Sequence, residues 1–118
     1  MRRTQRLRSA RDFRRVREAG RTWAHSLLVL SAAPNRYGRT RCGIVVRKSL
    51  GNAVQRNRLK RRVREAVRQI YAEIISGWDV IFIVRTPLIT ATYDQLCGAI
   101  RRLLTQANLL RLDDQDRP

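Results

Sequence analysis

Apolar residues recur at spacings of three and four along Leu59, Val63, Ala66, Val67, Ile70 and Ile74, which predicts a long helix with one packed face. Gly51-Asn52 marks the break before it and Ser76-Gly77 the stop, so the helix is expected to reach about Ile75. Upstream, Ser9 and Asp12 open a capping-box-like start for a short helix carrying Ala10, Phe13 and Val16, with Gly20 as its end. From Arg21 to Ala33 the chain is rich in Trp, Thr, Leu and Val. Pro34-Asn35-Arg36-Tyr37-Gly38 then supplies a turn before Cys42 to Val46, a pattern that predicts a β-meander. Val80 to Val84 is a continuous apolar run of strand length, as in a central strand covered on both faces. Thr92 and Gln95 cap a last helix with Leu96, Ile100, Leu103, Leu104 and Ala107 on one side. The order is α-β-β-β-α-β-α, an α+β chain that folds as a small two-layer sandwich.

Length fits one domain over residues 1–118, with residues 1–8 and 112–118 expected to be mobile because they are polar or basic and nearly devoid of apolar anchors. Charge changes the picture more than length does. A net charge of +17 calls for a polyanionic partner, nucleic acid first and anionic membrane second. Of the basic residues 24 are Arg, and only Lys48 and Lys60 are Lys. That ratio suits RNA, but GC-rich codon usage accounts for it better when it is taken alone, whereas the total charge survives this discount. No apolar stretch approaches the roughly 20 residues of a membrane span, and no secretory signal opens the chain, so a cytoplasmic protein is expected. Cys42 and Cys97 have no metal-ligand spacing and read as reduced thiols.

The charge concentrates on the long helix. Between Arg56 and Arg68 seven bases face one acid, Glu65. On a helical wheel Arg61, Arg64 and Arg68 lie opposite the apolar stripe, with Arg58 and Arg62 on one flank and Lys60 on the other. A solvated face usually mixes signs, and this one does not. Asn57, between Arg56 and Arg58, is read as a first-turn residue near the phosphate-attracting amides of a helix start. Phe13, among Arg11, Arg14, Arg15 and Arg17, is either a core anchor or an aromatic platform for an unpaired base. Catalytic chemistry is hard to assemble. His25 is the only histidine and the acids are scattered, so neither a catalytic residue nor a metal site is expected on the protein.

The segment Gly51-Asn52-Ala53-Val54-Gln55-Arg56-Asn57-Arg58-Leu59-Lys60-Arg61-Arg62-Val63-Arg64-Glu65 closely resembles the signature of the bacterial ribonuclease P protein component. Asp12-Phe13 with Val16 and Gly20, Arg41 to Lys48, and Asp79 to Arg85 extend the resemblance over about Leu7 to Leu104. It implies a ribosomal-protein-like fold with a left-handed β-α-β crossover through the basic helix, against the general right-handed rule. It implies an accessory subunit of an RNA-based endonuclease that removes the 5′ leader of precursor tRNA, one protein per RNA subunit. Hydrolysis would then belong to the catalytic RNA and its Mg2+ ions, and the protein would lower the Mg2+ requirement. By the same resemblance Arg56, Asn57, Arg58, Lys60, Arg61 and Arg64, with Arg68 on the same face, contact the catalytic RNA, and Phe13, Arg17, Arg47 and Lys48 receive the leader. Arg17 and Ser31 stand where many relatives carry aromatics, which predicts a less aromatic leader platform.

Three other readings compete. A ribosomal or RNA-chaperone module predicts binding without stimulation of tRNA maturation. A protein-only nuclease needs convergent carboxylates, and a DNA-binding helix lacks a helix-turn-helix partner.

Overall fold

The computed structural model describes residues 2–111. Three helices, α1 (Ala10–Ala19), α2 (Ala53–Ile70) and α3 (Tyr93–Gln106), accompany four strands, β1 (Arg21–Ala24), β2 (Leu28–Pro34), β3 (Arg41–Val45) and β4 (Trp78–Val84). The strands form one sheet in the order β1-β2-β4-β3. β1 pairs antiparallel with β2 and β2 antiparallel with β4, while β3 runs parallel to β4, to which it is joined through α2. The α+β order expected from the sequence is present. The meander is not: β1 and β2 make a hairpin, but β4 lies between β2 and β3, so the turn at 34–38 leads away from its neighbour.

Alternation along β4 divides the interior in two. Val80, Phe82 and Val84 face a large core under α2 and α3, together with Leu28, Leu30, Ala32 and Cys42. Ile81 faces the other way, into a small cluster with Leu7, Val16 and Ala33, against which Phe13, Val45 and Ile83 pack. β4 is therefore covered on both faces, as its continuous apolar run requires. α2 contributes Leu59, Val63, Ala66, Val67 and Ile70 to the large core, each fully buried Val or Leu being worth about 1.5–3 kcal/mol.

Two expected boundaries move. α2 ends at Ile70, not Ile75, and a 3-10 turn at Tyr71–Glu73 follows. There the Tyr71 hydroxyl donates to the Thr40 carbonyl and Ile74 leaves the helical path to bridge Leu110. Residues 2–8, read as a mobile arm, are docked: Arg3–Gln5 forms a 3-10 turn, Arg6 bridges Cys42 in parallel, and Leu7 donates its N–H to the Cys42 carbonyl at 2.8 Å. One apolar side chain, Leu7 at 4 % exposure, anchors the segment, too little for composition to reveal. The expected mobile tail at 112–118 lies outside the described residues.

Candidate nucleic-acid interface

α2 begins with a reciprocal cap. Asn52 Oδ1 accepts from the Gln55 N–H at 2.9 Å, and Gln55 Oε1 accepts from the Asn52 N–H at 2.8 Å. Gly51 permits this turn on two counts: its φ of +138° lies outside the ordinary range of L-residues, and a Cβ there would sit 3.0 Å from Gln55 Cβ and nearer still to Oε1. With the helix starting at Ala53, Asn57 falls in the second turn. It therefore lies beyond the free N-terminal amides, not in the first turn as its place in the sequence predicts.

Packing sorts the cations of α2 into three sets. Arg58, Arg61 and Arg68 are exposed along the crest with Asn57, and Arg68 is held by a fork on Glu65, Nε to Oε2 at 3.0 Å and Nη2 to Oε1 at 2.5 Å. Arg56, Lys60 and Arg64 form a half-buried shoulder, and Arg56 Nε donates to the Gly51 carbonyl at 3.2 Å. Arg62, on the other shoulder, donates to the carbonyls of Leu88 at 3.4 Å and Ala91 at 2.8 Å. It ties α2 to the segment before α3 and is thereby withdrawn from solvent. Arg64, placed by the wheel opposite the stripe, is in fact partly desolvated, which with the nearby charges of Arg6 and Arg61 lowers its pKa.

A second region lies on the opposite face of the sheet. Ala10, Phe13, Arg14, Arg17, Glu18 and Val45 line an open depression beside α1. Phe13 is half-buried because its ring lies on bare backbone: a Cβ added at Gly43 would be 2.8 Å from Phe13 Cε1 and closer to Cζ. One side of the ring is packed on the Gly43 backbone and the other is exposed. Arg17 follows one turn later and is exposed, as are Arg47 and Lys48 just beyond β3. Ser31 is 4 % exposed, with its hydroxyl 3.3 Å from that of Thr22, so it is closed off inside the sheet.

What holds α1 in place could not be found by spacing. Asp79, fully buried at the start of β4, accepts from Arg41 Nε at 2.9 Å and Nη2 at 2.7 Å, from Asn35 Nδ2 at 2.8 Å, and from Arg15 of α1. Asp12 of α1 adds an ion pair to Arg41 at 3.4 Å, and Tyr37 stacks 4.1 Å from the Arg41 guanidinium. The hydrogen bonds that Arg41 donates to Asp79 raise the Arg41 pKa. A single buried carboxylate shared by cations from α1 and β3 fixes that helix across the sheet.

His25 sits in the β1–β2 turn, its Nδ1 accepting from the Leu27 N–H at 3.1 Å. Cys42 and Cys97 are free thiols. Among the described residues no three His, Cys, Asp or Glu side chains converge as a metal site. Asp12, Asp79, Glu65 and Glu73 are each paired with arginine. This donor set does not fit a protein-bound Mg2+.

Fold and charge together define a basic α+β protein of the nucleic-acid-binding class, with a row of exposed cations along one helix. The chain belongs to the ribonuclease P protein family, whose model, described as Ribonuclease P, matches residues 1–108. It is 64 % identical over 118 residues to the ribonuclease P protein component of Herpetosiphon aurantiacus, covering all of this chain and 94 % of that one. The corresponding protein of Roseiflexus sp. is 48 % identical over 97 % of this chain and 94 % of its own. Among solved structures, the RNase P protein of Staphylococcus aureus matches with a TM-score of 0.82 at 31 % identity, over 91 % of this chain and 98 % of that one. The protein from Thermotoga maritima gives 0.79 at 31 % identity, over 86 % and 96 %.

Proposed function

We propose that this RNA-binding subunit of ribonuclease P joins two polyanions, the catalytic RNA on α2 and the leader of precursor tRNA in the depression beside α1. The observation that carries this reading is the crest of α2, where Arg58, Arg61 and Arg68 are exposed beside Asn57 while Leu59, Val63 and Ala66 are buried behind them. Arg56, Lys60 and Arg64 extend that surface along the shoulder. Phosphate contacts of this kind position an RNA without reading its sequence.

On the opposite face the exposed side of the Phe13 ring offers a stacking surface for one unpaired base; Arg17 in the same depression, and Arg47 and Lys48 exposed beyond β3 and outside its lining, supply phosphate contacts along the leader. Ser31 contributes no surface. Arg17 takes the place of a second aromatic, stacking by its guanidinium plane one turn from Phe13.

The protein's own residues bind and orient; they do not break bonds. Charge from α2 and the leader site reduces the repulsion between the two RNAs, which lowers the Mg2+ concentration needed for their association. The Mg2+ that hydrolysis uses is assigned to the RNA. One protein per RNA subunit, acting in the cytoplasm, completes the proposal.

The test is cleavage of precursor tRNA by the matching catalytic RNA at low Mg2+, with and without the protein, beside protein alone. Strong stimulation with inert protein alone is expected. Binding without stimulation would instead support a ribosomal or chaperone-like module, and cleavage by RNA-free protein would support a protein nuclease.

A further inference from the structure

Arg6 is anomalous. Its Nε–H is buried and has no hydrogen-bond partner, a state that is costly for any buried donor and more so for a charged one. Its position follows from the strand geometry. Arg6 has extended backbone, φ −99° and ψ 132°, and bridges Cys42 on the outer edge of β3. Bridge partners project to the same side, and Cys42 belongs to the core under α2 and α3, so Arg6 projects toward α2 while Leu7 turns the other way into the small cluster.

Further along the arm, Arg2 and Gln5 share a surface recess with Arg68, Tyr71 and Ala72, so the arm lies against the C-terminal part of α2. Arg64, on the shoulder of α2 that faces this edge, is half-buried, and its pKa is lowered by burial and then by the charges of Arg6 and Arg61. Among the described residues no carboxylate pairs with Arg6, Arg61 or Arg64: Glu65, beside Arg64, is taken by Arg68, and Asp12, the acid nearest Arg6 in sequence, by Arg15 and Arg41. Arg6 thus projects toward the shoulder of α2 opposite Arg62, where Arg64 is half-buried and Arg61 lies beside it, and no ion pair among the described residues neutralises any of the three.

We propose that Arg6 and Arg64, with Arg61 beside them, grip one phosphodiester of the catalytic RNA, making the N-terminal arm part of the RNA-binding surface of α2. The proposal rests on the reading of α2 as the catalytic-RNA surface and adds to it a residue outside the basic helix. A phosphate held by the terminal Nη groups removes the repulsion within the cluster, and its charge compensates the desolvated guanidinium. The free protein would hold this site at a cost to its own stability and recover the loss on assembly.

That trade gives Arg6→Met a signature a purely structural arginine would lack. Methionine retains the apolar stem without the donor or the charge. At low salt the free variant is expected to melt no lower than the parent, and inorganic phosphate is expected to raise its Tm less. Its affinity for the catalytic RNA should fall about 3- to 10-fold, with the slope of log affinity against log salt reduced by about one. Arg36→Met, the same charge change on the exposed β2–β3 loop, should keep RNA affinity within about twofold of the parent.

Arg6→Met with the parent's affinity and salt slope would overturn the proposal, as would an equal loss in Arg36→Met or a marked drop in the Tm of free Arg6→Met. A parent that fails to bind the catalytic RNA would overturn the reading of α2 and this proposal together. A normal parent with an unchanged Arg6→Met would overturn this proposal alone.

Discussion

Arg41 forks onto Asp79 across the first register pair of β3 and β4, with Nε to Oδ1 at 2.9 Å and Nη2 to Oδ2 at 2.7 Å. The same carboxylate receives Arg15 from α1, so the position of the helix that carries Phe13 and Arg17 depends on a residue of β4. Asp79→Ala would leave two guanidinium groups facing a desolvated hole. A loss of about 3–5 kcal/mol in urea unfolding is expected, with leader affinity falling more than affinity for the catalytic RNA on α2. Equal losses in both affinities would mean that Asp79 supports the whole fold and not α1 in particular.

Phe13 and Gly43 separate packing from stacking. Phe13→Leu keeps an apolar body on the Gly43 backbone, so stability should change by less than about 1.5 kcal/mol, while leader affinity falls by the roughly 1–3 kcal/mol of a stacked base. Gly43→Ala should lower both, because the new methyl displaces the ring. Arg17→Ala is expected to weaken leader binding as well. A leader affinity equal to the parent's would remove Arg17 from the site.

Arg61 and Arg62 are adjacent in sequence but differ in what they hold. Arg61→Ala should cost little stability and reduce the salt slope of RNA binding by about one. Arg62→Ala should cost about 1–3 kcal/mol of stability, since the Leu88 and Ala91 carbonyls lose their donor, and should leave the salt slope of the folded protein unchanged. Binding at several salt concentrations and thermal melts of both variants check the pair.

Cys42 gives a pH signature. Burial pushes its thiol up to about 12, with the Asp79 charge adding to the effect. The unfolded thiol ionises near pH 8.5, so the folded state holds the proton more tightly. The stability this provides is complete below that value and is lost as pH rises toward the folded value, at about 1.4 kcal/mol per pH unit. Alkylation of the native protein at pH 8 should therefore modify the half-exposed Cys97 and spare Cys42 until the chain unfolds. Rapid native modification of Cys42 would contradict its burial.

The sequence made α2 legible because burial there obeys the helical period, and five of its stripe positions are buried as expected, Leu59, Val63, Ala66, Val67 and Ile70. Of the crest, Arg61 and Arg68 followed from the same periodicity, whereas Arg58 and Arg64 exchange the places it gave them. Arg62 and Asp79 were not legible, since their partners lie 29 and 38 residues away and no local pattern marks a charge that points inward. Strand order escaped for a similar reason: alternation tells which residues share a face, not which strand lies beside which. Arg6 was hidden by its surroundings, a basic arm with the single apolar anchor Leu7.

β4 is made late in the chain, yet the sheet places it between β2 and β3. During synthesis, then, the β1–β2 hairpin and β3 have no common neighbour, and Arg41 and Arg15 have no Asp79, until about residue 84 has emerged. Until that moment the growing chain carries most of its basic charge without the geometry that gives the charge a use. The carboxylate that anchors α1, and with it the placement of Phe13 and Arg17, arrives only with the last strand.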